Sequence, residues 1–300
     1  MKFFVVLMGL FVCLFADYKL DIPANAVSAK LYKNQLFIGT DNSQLLSYDL
    51  INKNLNKVLE VPNISTTIEE NIGSRISAID IRDGKIAIIY ETDNRQRRIG
   101  IFENNKLSYL DVEEGLKELF FIDDNTLLVV GLSSELYYLD LKTFKLSFQT
   151  KLTYSSWIGD SEYLADRNVL VAVSEGGVVI YYDLKTKKII KELPIQKDIL
   201  YSVGAIGDKF VAGSAENLAY YFDGKKAHIF ESKDKHVLRV GLGDKFGAYY
   251  NEDGIDIFTL DGKKFKHIDY DKEQVHYMLF WNDELITVAY DNAIYFWSIK

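Results

Sequence analysis

The chain has 300 residues, of which 48% are hydrophobic, and its formal net charge is −8. This length is sufficient for a sizeable hydrophobic core. The acidic balance argues against nucleic acid as a partner, because phosphate binding needs clustered lysine and arginine. The single cysteine, Cys13, excludes a disulfide within the chain and a metal centre built from several thiolates.

The first 16 residues have the pattern of a secretory signal peptide. Lys2 supplies a positive charge, and the apolar run from Phe3 to Phe15 is too short to cross a bilayer comfortably. Ala16 suits a cleavage site, and polar sequence follows it. We therefore expect export to the periplasm and one domain over residues 17–300. A short membrane anchor, or a lipoprotein modified at Cys13, is the alternative.

A fragment of similar sequence returns about every 40 residues. Each copy is an apolar strand, a short polar turn and a second strand that ends in an aromatic residue followed by Asp or a near equivalent. The clearest copies are LFIGTDNSQLLSYDL (36–50), VLVAVSEGGVVIYYDL (169–184), FVAGSAENLAYYFDG (210–224) and LITVAYDNAIYFWSI (285–299). Such a period, with several strands per repeat, predicts a β-propeller.

Seven repeats fit the chain, and each is expected to form a blade of four antiparallel strands. The marker positions that end the third strands are Asp49, Glu103, Asp140, Asp183, Asp223, Asp261 and Ser298. Lysine-rich turns follow these positions and lead to a fourth, amphipathic strand. The last repeat lacks a fourth strand, so Tyr18 to Ile22 is predicted to pair with Tyr290 to Ile299 and close the ring.

Two segments depart from the repeat, and both are predicted to lie on the face that carries the connections after the second and fourth strands. The connection Val61–Arg75 is the longest in the sequence, and connections of this length often carry function. The hairpin Glu91–Ile99 is unusually rich in arginine. Arginine binds carboxylates in a planar, bidentate geometry, so this face suits an acidic partner.

The predicted partner-binding residues are four arginines and one tryptophan that anchors an interface at the entry of the fourth blade. They are Arg75, Arg95, Arg97, Arg98 and Trp157. A hairpin tip that is merely solvated, or a site for an anionic small ligand, is the alternative for the arginines.

Candidates for catalysis or metal binding are sparse. His236 and His276 begin strands near the predicted central channel, but they occupy different repeat positions and share no obvious carboxylate. Paired carboxylates such as Glu69 and Glu70 lie in predicted loops, where they favour solubility. The motifs H-E-x-x-H, G-x-S-x-G and the P-loop are absent from the sequence. We therefore expect no catalytic residues, no bound metal and no cofactor.

The repeats resemble the WD-repeat and quinoprotein-like propeller superfamily over residues 17–300. They lack the Gly-His dipeptide of WD repeats, and Tyr-Asp, Phe-Asp or Trp-Ser replaces Trp-Asp. The adjacent cysteine pair associated with quinone-dependent dehydrogenases is also absent. An exported propeller that begins MKFFVVLMGLFVCLFADYKL further resembles the NapL-type accessory proteins of periplasmic nitrate reductase. That resemblance implies a non-catalytic docking factor that supports the assembly or activity of the reductase system.

Two other functions stay open on the sequence. One is a general cell-envelope scaffold resembling the propeller of the outer-membrane barrel assembly machinery, although the lipoprotein signal at Cys13 is weak. The other is a metal-assisted propeller hydrolase or lyase, which needs His, Asp and Asn from several blades at one level of the channel. For all three functions we expect a monomer with no membrane span after residue 16. The partners of the reductase accessory factor and of the envelope scaffold are expected to be periplasmic proteins.

Overall fold

Seven four-stranded antiparallel sheets, arranged as the blades of a propeller, make up the computed structural model, which describes residues 18–300. Six blades use four consecutive strands each, and the seventh combines the first strand with the last three. The predicted all-β, seven-bladed architecture is therefore confirmed. The predicted signal peptide at residues 1–16 lies outside the described residues.

The strands are numbered in chain order, and β1 is Tyr18–Asp21. Blade 1 contains β2 (Ala26–Tyr32), β3 (Gln35–Thr40), β4 (Gln44–Asp49) and β5 (Leu55–Glu60). Blade 2 contains β6 (Ile76–Arg82), β7 (Lys85–Glu91), β8 (Arg97–Glu103) and β9 (Lys106–Val112), with a 3-10 turn at Asp93–Arg95. Blade 3 contains β10 (Leu116–Phe121), β11 (Thr126–Gly131), β12 (Glu135–Asp140) and β13 (Lys145–Lys151).

Blade 4 contains β14 (Ile158–Leu164), β15 (Val169–Ser174), β16 (Val178–Asp183) and β17 (Lys188–Pro194). Blade 5 contains β18 (Leu200–Ile206), β19 (Lys209–Ser214), β20 (Leu218–Phe222) and β21 (Ala227–Glu231). Blade 6 contains β22 (Arg239–Leu242), β23 (Phe246–Asn251), β24 (Gly254–Thr259) and β25 (Lys264–Ile268). Blade 7 contains β26 (Val275–Trp281), β27 (Glu284–Ala289), β28 (Ala293–Ser298) and β1.

The hydrophobic core lies between neighbouring blades. Every residue of β15 is buried, because a strand in the middle of a blade is covered on both faces, whereas most of the outer strand β17 is exposed. In one such cluster, Val171 and Val173 of blade 4 pack with Val203 and Phe210 of blade 5. The first strand of each blade lines the central channel. We call the face that carries the connections after the second and fourth strands the upper face.

The N-terminal strand closes the ring as predicted. Strand β1 pairs antiparallel with β28, in a register that sets Leu20 opposite Ile294. Leu20 is buried in the cluster shared by blades 7 and 1, and the ring of Tyr18 lies 5.3 Å from that of Phe296. The strand ends at Asp21, one residue before the predicted end, but the Ile22 amide still donates to the Asn292 carbonyl at 2.9 Å.

The repeated Asp at the end of the third strand shapes the turn to the fourth strand. Asp49 Oδ1 accepts the backbone amides of Ile51 at 2.8 Å and Asn52 at 2.9 Å. The same pair of hydrogen bonds, to the second and third following residues, recurs at Asp140, Asp183 and Asp223. Accepted hydrogen bonds hold the pKa of Asp49 and Asp140 below the usual value. The marker is therefore a turn-forming residue.

We expect the negative charge of the repeated Asp to stabilise the fold at neutral pH but not in acid. Because the folded pKa of Asp140 lies below its unfolded value of about 3.9, the stabilisation is present above that value and lost as pH falls through the folded pKa. The variant Asp140→Asn should unfold at a lower urea concentration than wild type at pH 7, and this difference should shrink at about pH 3. A difference that stays constant over this pH range would contradict the role of the charge.

Removal of β1 should open the ring. A chain that begins at Pro23 loses the pairing with β28 and the burial of Leu20, so we expect its free energy of unfolding to fall by about 2–5 kcal/mol. Urea denaturation followed by tryptophan fluorescence measures this, with a chain that begins at Asp17 as the control. Equal midpoints for the two chains would show that the ring is closed by other contacts.

Candidate functional site

The central channel formed by the described residues holds a cavity of about 580 Å³. Residues from the first strands of all seven blades line it. Its volume lies within the range of about 300–1,000 Å³ that small-molecule sites occupy. The wall contains an unusual number of charged side chains: Lys30, Arg97, Lys117, Glu118, Asp160, Glu162, Arg239 and His276.

Part of this polar wall is structural, because it joins each blade to the next. Several such hydrogen bonds cross successive blade interfaces in the inner ring. They run from Ser28 Oγ to the Ile76 carbonyl at 2.7 Å, from the Phe121 amide to Asp80 Oδ2 at 2.7 Å, and from the Val203 amide to Asp160 Oδ2 at 3.0 Å. Buried polar groups that are hydrogen-bonded in this way hold the blades in register.

Asp160 connects three blades. Its Oδ2 accepts from Ser202 Oγ at 3.0 Å and from the Val203 amide, both in blade 5, and lies 3.4 Å from Arg239 Nη1 in blade 6. Three donors around one carboxylate offset its desolvation, so this residue is satisfied within the fold.

Two other carboxylates of the channel are poorly stabilised as anions. Burial, reinforced by the negative charge of Asp160, raises the pKa of Glu118 to about 8 although Lys117 opposes the shift. Burial likewise raises the pKa of Glu162 to about 7 against the attraction of Lys30. Glu118 accepts a hydrogen bond from the Ser161 hydroxyl, whereas Glu162 makes no hydrogen bond or ion pair with any residue between 18 and 300. Glu118 is therefore mostly protonated at neutral pH.

The charge of Glu118 should make the protein less stable at high pH. The pKa of Glu118 is about 8 in the folded state and lower in the unfolded state. The contribution of its protonated carboxyl to the free energy of unfolding is therefore complete below about pH 4.5 and is lost as pH rises through 8. Glu118→Gln keeps an acceptor for Ser161 but cannot ionise. We expect its free energy of unfolding to exceed that of wild type by about 1–3 kcal/mol at pH 8.5 and to match it near pH 5. Urea titrations at both values test this, and a gap independent of pH would contradict it.

Basic side chains collect at the upper end of the channel. Lys117, Arg239 and His276 stand at or next to the start of their inner strands, where the chain enters from the upper face. Lys117 Nζ donates to the carbonyls of Ile158 at 3.0 Å and Gly159 at 2.5 Å. We call this end of the channel the channel mouth. It comprises Lys117, Arg239 and His276 together with Arg75 and Arg97.

The structure separates Arg95, Arg97 and Arg98, which were grouped from the sequence as neighbouring partner-binding residues of one hairpin. Only Arg95 lies at the exposed tip, where it pairs with Glu91 at 2.6 Å. Arg97 and Arg98 are consecutive in β8 and point to opposite sides of the sheet. Arg97 lines the channel and donates to the Leu116 carbonyl.

Arg98 faces the outer part of blade 2. It pairs with Asp111 at 2.5 Å and its guanidinium lies 4.0 Å from the centre of the Tyr109 ring. These contacts hold it within its own blade. Partner binding by the four predicted arginines stays a prediction, and the structure does not place them in a single patch.

The long connection 61–75 and the hairpin 91–99 do share the upper face. The Ser65 amide donates to Asp93 Oδ1 at 2.7 Å, and the Asn94 amide donates to the Ser65 carbonyl at 3.0 Å. At the end of this connection, the Arg75 guanidinium lies 5.2 Å from the centre of the Tyr290 ring in blade 7. The connection is therefore folded onto the hairpin and extends towards the channel mouth.

Large apolar side chains are exposed on the same face. Trp157, which precedes β14, is 61% exposed, and Tyr154 in the same connection is 87% exposed. Ile68 in the connection 61–75 is 90% exposed. Trp157 was predicted as an anchor. Tyr154 and Ile68 were missed, although each is a large apolar residue among polar neighbours in a predicted loop, which is a recognisable signal.

The histidines do not form a metal site. His236 is exposed, with Nδ1 2.6 Å from the Ala215 carbonyl, whereas His276 lies in the channel wall. Within residues 18–300 there is no group of three or more His, Cys, Asp or Glu side chains placed to hold a metal ion. In the same part of the chain, no helix has the length and hydrophobicity needed to cross a bilayer.

Solved structures with the same fold are similar at low sequence identity. The β-propeller domain of Myceliophteria thermophila Cps50 (Swd1) gives a TM-score of 0.75 at 10% identity, over 95% of this chain and 99% of that one. A chain of the mitotic checkpoint complex gives 0.75 at 12% identity, over 95% and 92%. The computationally designed protein Ika8 gives 0.67 at 12% identity, over 93% and 97%.

The sequence itself matches no protein-family model and no curated protein. The structural similarity confirms the resemblance to WD-repeat-type propellers at the level of the fold. The narrower resemblance to nitrate reductase accessory proteins has no support in these comparisons.

Proposed function

We propose that this chain is a non-catalytic docking protein that binds a protein partner on its upper face. The observation that carries the proposal is that Ile68 and Tyr154, the two most exposed large apolar side chains of residues 18–300, lie on the upper face together with Trp157. Exposed aromatic side chains cost free energy in water and are typical of the anchors of protein interfaces.

The distribution of charged residues favours the upper face over the lower one. The turns between third and fourth strands, which lie on the lower face, are rich in lysine, as in LKTKKI at 184–189. Lysine is depleted in protein interfaces, whereas arginine and aromatic residues are enriched there. Arg75 and Arg95 lie on the same upper face as the exposed aromatic residues, so this face has the composition of an interface.

The upper face is also preorganised. The Ser134 hydroxyl donates to the Ser156 carbonyl at 2.9 Å, and the Glu175 amide donates to the Trp157 carbonyl at 2.9 Å. These bonds hold the connection that carries Tyr154 and Trp157 between the hairpins of blades 3 and 4. A preformed surface loses less conformational entropy when a partner binds.

The partner that we propose is a periplasmic protein of the nitrate reductase system. Support for this identity comes from the sequence resemblance and the signal-peptide pattern at residues 1–16. One of the similar structures is a chain of the mitotic checkpoint complex, which supports a role in protein assembly in general terms. A general envelope scaffold is the alternative, and co-purification with or without reductase subunits separates the two. A metal-assisted hydrolase or lyase has no supporting site among residues 18–300.

Replacement of the aromatic anchors should abolish capture of the partner. In the double variant Tyr154→Ser/Trp157→Ser, we expect the amount of cross-linked partner recovered from a periplasmic extract to fall at least about tenfold, because each anchor contributes roughly 1–2 kcal/mol or more. Quantitative mass spectrometry of the cross-linked species measures this.

The matched control is Ile51→Ser. Ile51 is 61% exposed, like Trp157, but it lies in the turn between β4 and β5 on the lower face. We expect this variant to capture the partner as wild type does. If Ile51→Ser loses as much partner as the double variant, or if the double variant loses none, the upper face is not the docking surface.

A further inference from the structure

Three basic side chains at the channel mouth form no ion pair within the described residues, although the charge of Glu91 attracts Arg97. Arg75, Arg97 and His276 make no ion pair with any carboxylate among residues 18–300, and His276 makes no hydrogen bond there either. Arg97 donates only to a backbone carbonyl, and Arg75 lies over the ring of Tyr290. This contrasts with Arg95, Arg98 and Arg239, each of which lies within 3.4 Å of a carboxylate oxygen.

The three side chains converge although they belong to different blades. Arg97 and His276 both line the cavity, from blades 2 and 7. Arg75 begins at the entry of blade 2 and lies over the Tyr290 ring in blade 7. Burial lowers the pKa of Arg97, opposed by the charge of Glu91 and reinforced by that of Arg75. Burial, and then the charges of Arg239 and Arg75, lower the pKa of His276.

Convergent basic groups that repel one another in an acidic protein are an arrangement that an anion would stabilise. We propose that the channel mouth is a binding site for a carboxylate group, which Arg97 and Arg75 hold and which His276 contacts from blade 7. The planar guanidinium groups provide donors in the geometry that a carboxylate needs. The half-buried surroundings strengthen each of these hydrogen bonds compared with bulk water.

A carboxylate fits this site better than a phosphate or sulfate. The acidic residues Glu118 and Asp160 follow immediately after Lys117 and Gly159 in the inner strands, just below the mouth. Glu118 is mostly protonated at neutral pH, but the negative charge of Asp160 disfavours a multiply charged anion, and the planar carboxylate matches the guanidinium groups in shape. Arg239 already shares its charge with Asp160 at 3.4 Å.

The carboxylate has two possible sources with the same chemistry. It belongs either to a free organic acid that enters the cavity or to an Asp or Glu side chain of a partner on the upper face. The site itself does not depend on the docking proposal, because a small acid can bind whether or not a protein docks.

Histidine-selective NMR provides a direct test. The chain has four histidines, so the ring signals of His276 can be assigned and followed. At constant ionic strength we expect N-acetylglycine to shift these signals with a dissociation constant on the order of 1 mM, as for a small fragment. N-acetylglycinamide, which differs only in the missing carboxylate, should not shift them. The peptide acetyl-Gly-Asp-Gly-amide tests the side-chain source: tighter binding than N-acetylglycine indicates a partner's side chain, and weaker binding indicates a free acid.

Variants at the mouth separate a specific site from general charge. Arg97→Gln and Arg75→Gln should each weaken N-acetylglycine binding at least about tenfold, because each removes a charge-assisted hydrogen bond. Arg98→Gln is the matched control, because Arg98 is the next residue in the same strand but its side chain faces Tyr109 and Asp111. This variant should bind N-acetylglycine with the affinity of wild type. The Arg75 guanidinium makes no hydrogen bond with residues 18–300, so Arg75→Gln keeps the test valid even if Arg97→Gln disturbs β8.

Three results would overturn the proposal. The first is equal shifts from N-acetylglycine and N-acetylglycinamide, or no shift up to about 50 mM acid. The second is an equal loss of affinity in Arg98→Gln and Arg75→Gln. The third is sulfate binding more tightly than the carboxylate at the same ionic strength, which would assign the mouth to another class of anion.

Discussion

Closure of the ring is the constraint on which the rest of this structure depends. The pairing of β1 with β28 joins the two ends of the chain and removes two exposed sheet edges. Only a closed ring holds seven inner strands around one channel, and only then can Arg75, from the entry of blade 2, reach Tyr290 in blade 7. The polar bonds between neighbouring inner strands then fix the blades, so the cavity and its mouth are products of closure.

The channel wall contains two kinds of charged residue. Asp80 and Asp160 accept several hydrogen bonds across blade interfaces and hold the fold together. Glu118, Glu162, Arg75, Arg97 and His276 are less well compensated, since burial shifts their pKa or they form no ion pair with the described residues. Such uncompensated groups reduce stability, and they tend to occur where a protein binds something. The division separates the structural part of the channel from the part available to a ligand.

Most of the fold could be predicted from the sequence because each blade is a local repeat with its own turn residues. The marker Asp, the connection 61–75 and the closing strand all lie where the repeat places them. The side on which a given arginine points could not be predicted, since Arg97 and Arg98 are neighbours and the exact register of β8 decides between channel and rim. The convergence of Lys117, Asp160 and Arg239 was also hidden, because these residues come together only through the curvature of the ring.

The pairing of residues 18–21 with 293–298 also determines the order in which the molecule can assemble. Among the strand pairings of residues 18–300 none joins residues more distant in sequence, so its loop-closure entropy is the largest and we infer that it forms after the individual blades. Until then, β28 presents an unpaired edge that can bind another extended chain. Strand β1 has four residues and pairs along one edge only, so it can detach without separating two whole blades. Assembly and local unfolding therefore both proceed through one short strand at the N-terminal end of the described chain.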